Sequence, residues 1–113
     1  MIKSFLNAFR GVSDAVKSEH NLRIHFLASI IVFVFAYFLK FSPQEFAILT
    51  LTVFLVIILE LINTMIEKVT DIISPEISER ARVIKDISAS VVLFGAIASI
   101  IVAIFLFVPK IWG

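Results

Sequence analysis

Glu60 and four polar residues after it stand at the end of the second of three long apolar segments. Side chains of these types suit acid–base or metal chemistry. Glu60 comes after fourteen residues without a charge, and Asn63, Thr64, Glu67 and Asp71 follow it at helical spacing. At about 100° per residue, these five side chains share one face of a helix. A carboxylate that faces lipid is costly, so we expect this face to point into a helical bundle or a wet cavity.

Two carboxylates on one helix face repel each other unless a cation lies between them. A hard divalent ion such as Mg²⁺ would relieve that repulsion, because it prefers oxygen ligands. The alternative is that these residues mark the end of the helix and reach for the lipid headgroups. That alternative suits Asp71 and Lys68 better than Glu67, and it suits Glu60, which is deeper and has a short side chain, least of all.

Lys85 and Asp86 stand just before the third apolar segment and form a second candidate site. Lys85 could hold a phosphate, and Asp86 could position a hydrogen-bond donor. Because adjacent helical residues point about 100° apart, the two are not expected to pair with each other. The plain alternative is an interfacial lysine followed by an acidic residue that the helix dipole favours.

Glu19 lies before the first apolar segment, at the membrane depth expected for Glu67. His20 and His25 are five residues apart, which is a weak zinc signal because helical ligand pairs are usually three or four apart. We interpret His25 as an interfacial residue. Small residues on the third segment predict close helix packing. They are Ser88, Ser90, Gly95, Ala96, Ala98 and Ser99.

The elements that must position these side chains are membrane helices. Of the 113 residues, 60% are hydrophobic and only 17% are charged, and the mean hydropathy is +1.07. A soluble chain of this size has too much surface to hide so much apolar area. The apolar segments cover residues 26–39, 46–59 and 87–108. Because lipid offers no hydrogen bonds to the backbone, we predict an all-α integral membrane protein.

Helix-stop residues divide the single predicted domain, which covers residues 1–113. Ser42 is a plausible N-cap with Pro43 at the first helical position, Ser74-Pro75 ends the second helix, and Pro109 closes the third. The predicted elements are a surface helix at 1–19, spans at 22–40, 44–71 and 85–108, and a cytoplasmic connector at 72–84.

The segment before the first span predicts an amphipathic helix that lies on the membrane surface. The alternative is a soluble helix packed on the bundle. Charged residues interrupt the segment, so we do not expect a signal peptide. Its apolar residues at helical spacing are Ile2, Phe5, Leu6, Phe9, Val12 and Val16.

Basic residues predict the orientation, because they stay on the cytoplasmic side of the membrane. Only Lys40 and Lys110 lie on one side of the predicted spans, so the N-terminus is expected in the cytoplasm and the C-terminus outside. The chain has no cysteine, which excludes disulfides, and a net charge of +1, which does not suggest a nucleic-acid partner. The basic residues of the other side are Lys3, Arg10, Lys17, Arg23, Lys68, Arg80, Arg82 and Lys85.

The segment 60–67, which reads ELINTMIE, is followed by Asp71 and then by Lys85-Asp86. This pattern resembles the prokaryotic diacylglycerol kinase family, which includes the undecaprenol kinases. The resemblance covers nearly the whole chain, from the surface helix through the three spans. No glycine-rich phosphate loop is present, so a nucleotide site would be built without one.

The resemblance implies a homotrimer of three-span subunits in the bacterial inner membrane. It implies transfer of the γ-phosphate of ATP to the hydroxyl of a membrane lipid, undecaprenol or diacylglycerol, at the cytoplasmic face. It makes Glu60 the general base, and it makes Glu19 and Glu67 the carboxylates that hold Mg²⁺ with the nucleotide. The implied nucleotide-binding residues are Glu19, Asn63, Glu67, Glu76, Lys85 and Asp86.

Two positions depart from the best-known diacylglycerol kinases. This chain has Ile77-Ser78 where they carry Tyr-His, and Asn7 lies where they carry a nearby aromatic residue. The run 73–77 looks closer to the undecaprenol kinase branch.

Two other functions would also place carboxylates inside a bundle. A small ion- or proton-coupled transporter would need polar residues through the outer half of the spans, where only Tyr37, Thr50 and Thr52 occur. A non-catalytic assembly subunit would explain the small residues of the third span but not the shared face of Glu60, Asn63 and Glu67.

Overall fold

The computed structural model describes all 113 residues and contains four α-helices and no strand. They are α1 (Ile2–Ser18), α2 (His20–Phe38), α3 (Pro43–Ile73) and α4 (Glu79–Trp112). The last three are long and apolar enough to cross a membrane. The all-α prediction with three candidate spans is therefore confirmed.

The turn between α2 and α3 begins α3 as the sequence predicts. Ser42 Oγ accepts a hydrogen bond from the Glu45 N–H (3.1 Å), and Glu45 Oε1 accepts one from the Ser42 N–H (2.8 Å). This capping box satisfies two backbone donors that the helix cannot, and Pro43 at the first helical position has no N–H to satisfy. At the other end of α3, Ser74 is the C-cap, which confirms the predicted stop.

The segment that connects α3 to α4 is shorter than the predicted 72–84, because only residues 74–78 lie outside the two helices. Ser78 caps α4 by accepting a hydrogen bond from the Ala81 N–H at 3.1 Å. The polar residues that follow are helical, and Arg82 pairs with Glu79 and Asp86 one turn away on either side, which gives the helix modest support. The polar residues at the start of α4 mark the end of the apolar segment, and the helix itself extends beyond that segment.

The prediction that Pro109 closes the third span is wrong for the helix, which continues to Trp112. A proline in a helix removes one backbone hydrogen bond and crowds the preceding turn. At Pro109 that loss falls in the last turn of α4, where the Gly113 N–H still donates to the Pro109 carbonyl at 2.7 Å. The helix therefore carries on for one further turn.

Packing is centred on α3, which contacts α4 extensively and α2 to a smaller extent. Near the turn end, Ala36, Phe41, Leu49 and Leu106 form one apolar cluster. At the same end, Glu45 and Lys110 form an ion pair (2.9 Å) that joins α3 to α4.

A second apolar cluster lies toward the other end and consists of Ala15, Leu22 and Ile57. It holds the junction of α1 and α2 against α3. Farther along the interface between α3 and α4, Gly95 faces Leu59 so closely that a Cβ at position 95 would lie 2.5 Å from Leu59 Cδ1. This confirms the predicted packing role of small residues at Gly95.

We expect Gly95→Leu to lower the free energy of unfolding by about 1–3 kcal/mol, because the larger side chain overpacks the interface between α3 and α4. Thermal unfolding in detergent micelles measures the change. Gly11→Ala is the matched control, since no atom lies within 4 Å of a Cβ there. It should raise stability by roughly 0.5–1 kcal/mol through helix propensity alone. Equal responses of the two variants would contradict close packing at Gly95.

Candidate functional site

Glu60 lies inside the bundle, with only 7% of its surface exposed. Its carboxylate faces α2, where His25 Nε2 is 3.1 Å from Glu60 Oε1. Thr64, one turn further, is also buried, and Asn63 and Glu67 are half-buried. The prediction that this face points into the bundle is therefore confirmed for Glu60 and Thr64, holds in part for Asn63 and Glu67, and fails for Asp71, which is exposed.

Asn63 connects Glu67 to α4. The buried Ser88 hydroxyl donates to Asn63 Oδ1 (2.7 Å), and Asn63 Nδ2 donates to Glu67 Oε1 (3.3 Å). Because both ends of the amide are engaged, the amide has one orientation and holds the Glu67 carboxylate toward α4. Ser88, predicted only as a small packing residue, is the hydrogen-bond donor that fixes this arrangement.

Lys85 and Asp86 pair with different partners, as their adjacent positions predict. Lys85 Nζ lies 2.5 Å from Asp71 Oδ1 on α3, while Asp86 Oδ2 lies 2.6 Å from Arg82 Nη1 within α4. Asp71 therefore links α3 to α4 and is more than an acidic residue at the end of a helix. These side chains are solvent-exposed, so the ion pairs add little stability and can open to another anion or cation.

A polar cavity of about 280 Å³ lies beside the 74–78 connector. It brings together Glu76, Lys85 and Asp86, three of the predicted nucleotide-binding residues, with Asp71 and Arg82. Lys85 and Arg82 supply two cations, which are the side chains that bind phosphate oxygens. Arg82 is not among the nucleotide-binding residues that the sequence predicts.

Glu19 stands alone at the junction of α1 and α2, where its backbone is extended. Its carboxylate makes no hydrogen bond or ion pair, and its neighbours Ala15 and Leu22 pack against Ile57 of α3. Nowhere in the chain do three acidic or histidine side chains come close enough to enclose a metal ion. Mg²⁺ is usually held by one or two protein carboxylates together with substrate phosphates, and the chain by itself assembles no magnesium site from Glu19 and Glu67.

His25 is the contact that residue types alone did not indicate. The lengths of the helices do indicate that His25 could contact Glu60. A turn between Phe38 and Pro43 makes α2 and α3 an antiparallel hairpin, which places position 25 within about one helical turn of position 60. Residue spacing within one helix, on which the prediction relied, does not report contacts between helices.

Comparison with known proteins gives the family. The family model for prokaryotic diacylglycerol kinase matches residues 6–107. The chain is 38% identical over 112 residues to the diacylglycerol kinase of Synechocystis; the match covers 98% of this chain but only 64% of that longer relative. It is 32% identical over 109 residues to the undecaprenol kinase of Bacillus subtilis, covering 96% of this chain and 89% of the relative. With its three apolar helices and its polar face around Glu60, the chain belongs to the prokaryotic diacylglycerol kinase family.

Proposed function

We propose that this chain transfers the γ-phosphate of ATP to the hydroxyl of a membrane lipid at the cytoplasmic face of the bacterial inner membrane. The observation that carries the proposal is Glu60, a buried carboxylate with one oxygen hydrogen-bonded, and a cavity lined by Lys85 and Arg82 lies further along the same bundle. Family membership supplies the reaction class, since the relatives are named as lipid kinases.

Glu60 would act as the general base. Phosphoryl transfer needs mainly positioning and charge neutralisation, and little covalent help from the protein. The lipid hydroxyl oxygen forms a bond to the γ-phosphorus, the bond from that phosphorus to the β–γ bridging oxygen breaks, and ADP leaves. The hydroxyl proton passes to the Glu60 carboxylate, which must lie within hydrogen-bond reach of it.

The nucleotide would bind where the polar cavity meets the half-buried face of α3. Lys85 is held only by the exposed Asp71 carboxylate, so it can turn to a phosphate at small cost. Asn63, Glu76 and Asp86 would line this region. Mg²⁺, when bound by Glu67 and Glu19 with the phosphates, would neutralise their negative charge.

The acceptor would be a lipid alcohol such as undecaprenol or diacylglycerol, whose hydroxyl lies at headgroup level while its tail stays in lipid. Both alcohols present the same reacting group. We further propose a homotrimer, which the resemblance to the family implies; the large apolar side chains exposed on every helix would then face lipid or a neighbouring subunit. In this arrangement α1, which exposes Ile2, Phe5 and Phe9, would lie on the membrane surface.

Glu60→Gln should abolish phosphate transfer while leaving the fold and ATP binding intact. Losing a general base lowers the rate by roughly 10²–10⁴-fold. The measurement is transfer of radiolabelled phosphate from ATP to a panel of lipid alcohols in mixed micelles. Glu45→Gln is the matched control, because the same change at the far end of α3 can keep its capping box and loses only the charge in the pair with Lys110. Full activity of Glu60→Gln would remove Glu60 from this role.

Glu67→Gln should raise the Mg²⁺ concentration needed for half-maximal activity, because an amide oxygen is a weaker ligand for a hard cation. A Mg²⁺ titration of the same transfer assay gives that concentration, with Glu45→Gln again as the control. An Mg²⁺ dependence identical to that of the parent chain would argue against metal ligation at this position.

The orientation can be tested directly because the chain contains no cysteine. We expect Lys40→Cys and Gly113→Cys to react with a membrane-impermeant maleimide on intact cells. Ile77→Cys, in the exposed connector, should react only after the cells are permeabilised. The parent chain should remain unlabelled, and the reverse labelling pattern would invert the proposed topology.

A further inference from the structure

We propose that His25 is a positioning residue for Glu60. Its Nε2–H donates to Glu60 Oε1 and leaves Glu60 Oε2 to take the proton of the lipid hydroxyl. The inference rests on the proposed function and adds to it a residue of α2 that the motif on α3 does not contain.

The first support is that His25 is the sole hydrogen-bond partner of the Glu60 carboxylate. The contact is 3.1 Å, between Nε2 and Oε1, and it joins side chains that are 35 positions apart in the sequence. A buried carboxylate normally takes several hydrogen bonds or a cation. Here a single imidazole provides the only one, so the orientation of Glu60 depends on His25.

The second support is the state of the other carboxylate oxygen. Glu60 Oε2 accepts no hydrogen bond, yet no fully buried side-chain oxygen or nitrogen in the chain lacks a partner. Oε2 must therefore keep some accessible surface, although the residue as a whole is buried. The two oxygens are thus divided, one held by α2 and one open to a reacting group.

The hydrogen bond fixes which ring nitrogen carries the proton. An ionised carboxylate only accepts hydrogen bonds, so the 3.1 Å contact requires a hydrogen on Nε2. No side chain of the structure contacts Nδ1; the nearby Ser29 hydroxyl donates to the His25 backbone carbonyl (2.6 Å). The bond to an ionised Glu60 therefore requires a hydrogen on Nε2 and leaves Nδ1 without a side-chain partner.

A glutamate side chain has three rotatable bonds, and a base acts only when it is within hydrogen-bond reach of its proton. A displacement of about 1 Å can slow a reaction on the order of 10²-fold. His25 also lines a mostly apolar cavity of about 200 Å³ between α2, α3 and α4.

The test compares substitutions at His25 that keep or remove a donor at the position of Nε2. The amide nitrogen of His25→Gln can reach Oε1, whereas His25→Leu has similar bulk and no donor. We expect kcat of His25→Leu to fall on the order of 10²-fold with an unchanged KM for ATP, and His25→Gln to recover most of that loss. His20→Leu makes the same change at an exposed histidine with no hydrogen-bond partner and should match the parent chain.

Two results would overturn the inference: a His25→Leu kcat equal to that of the parent, or a His25→Gln kcat as low as that of His25→Leu. If His25→Leu fails to fold, His25→Asn replaces it, because its amide is one methylene too short to reach Oε1. Equal rates for His25→Asn and His25→Gln would then exclude a role for the hydrogen bond.

The position of the hydrogen on the His25 ring can be measured without the reaction. The His20→Leu variant is suited to this because it retains a single histidine. Nitrogen NMR of its imidazole in micelles should show a hydrogen on Nε2, and a ring without that hydrogen could not donate to Glu60.

If the parent chain phosphorylates no lipid alcohol, the proposed function fails. If the parent is active and only the His25 results disagree, the inference alone fails.

Discussion

The structure is governed by the cost of keeping carboxylates in an apolar environment. A charge that faces lipid is unfavourable by several kcal/mol or is neutralised. The chain contains carboxylates on a helix whose other residues are almost all apolar, and each one has a partner. Glu60 contacts His25, Glu67 contacts Asn63, and Asp71 contacts Lys85. The need to satisfy these groups determines which face of α3 turns inward, and the neighbouring helices pack accordingly.

The partners change in character along α3. At the deepest position the partner is an imidazole, at the next it is an amide, and at the exposed end it is an ammonium group. The series follows increasing access to water, since Glu60 is buried, Glu67 is half-buried and Asp71 is exposed. Of these three carboxylates, only the exposed Asp71 forms an ion pair with a lysine. A lipid substrate from the bilayer and a nucleotide from water would thus approach one helix face from opposite ends.

The sequence predicted the helices and the inward face well, because both depend on patterns within one segment. The Ser42 and Ser74 boundaries were also predictable, since capping is local chemistry. Contacts between helices could not be predicted in the same way. His25 looked interfacial because its own helix gives no reason for a polar residue there, and the reason lies on α3. The continuation of α4 past Pro109 and its early start at Glu79 were missed because hydropathy reports the extent of the apolar region and not that of the helix.

The ion pair between Glu45 and Lys110 has a mechanical consequence. It joins α3 to α4 at one end, the exposed pair of Asp71 and Lys85 lies near the other, and Gly95 lets the two helices touch between these points. α3 and α4 therefore form the most closely packed pair of helices in the chain. α2 has no ion pair to either helix and is held to α3 by apolar contacts and the His25 hydrogen bond. Because α2 also contacts α3 far less extensively than α4 does, any widening of the bundle would separate α2 first and break the His25 hydrogen bond.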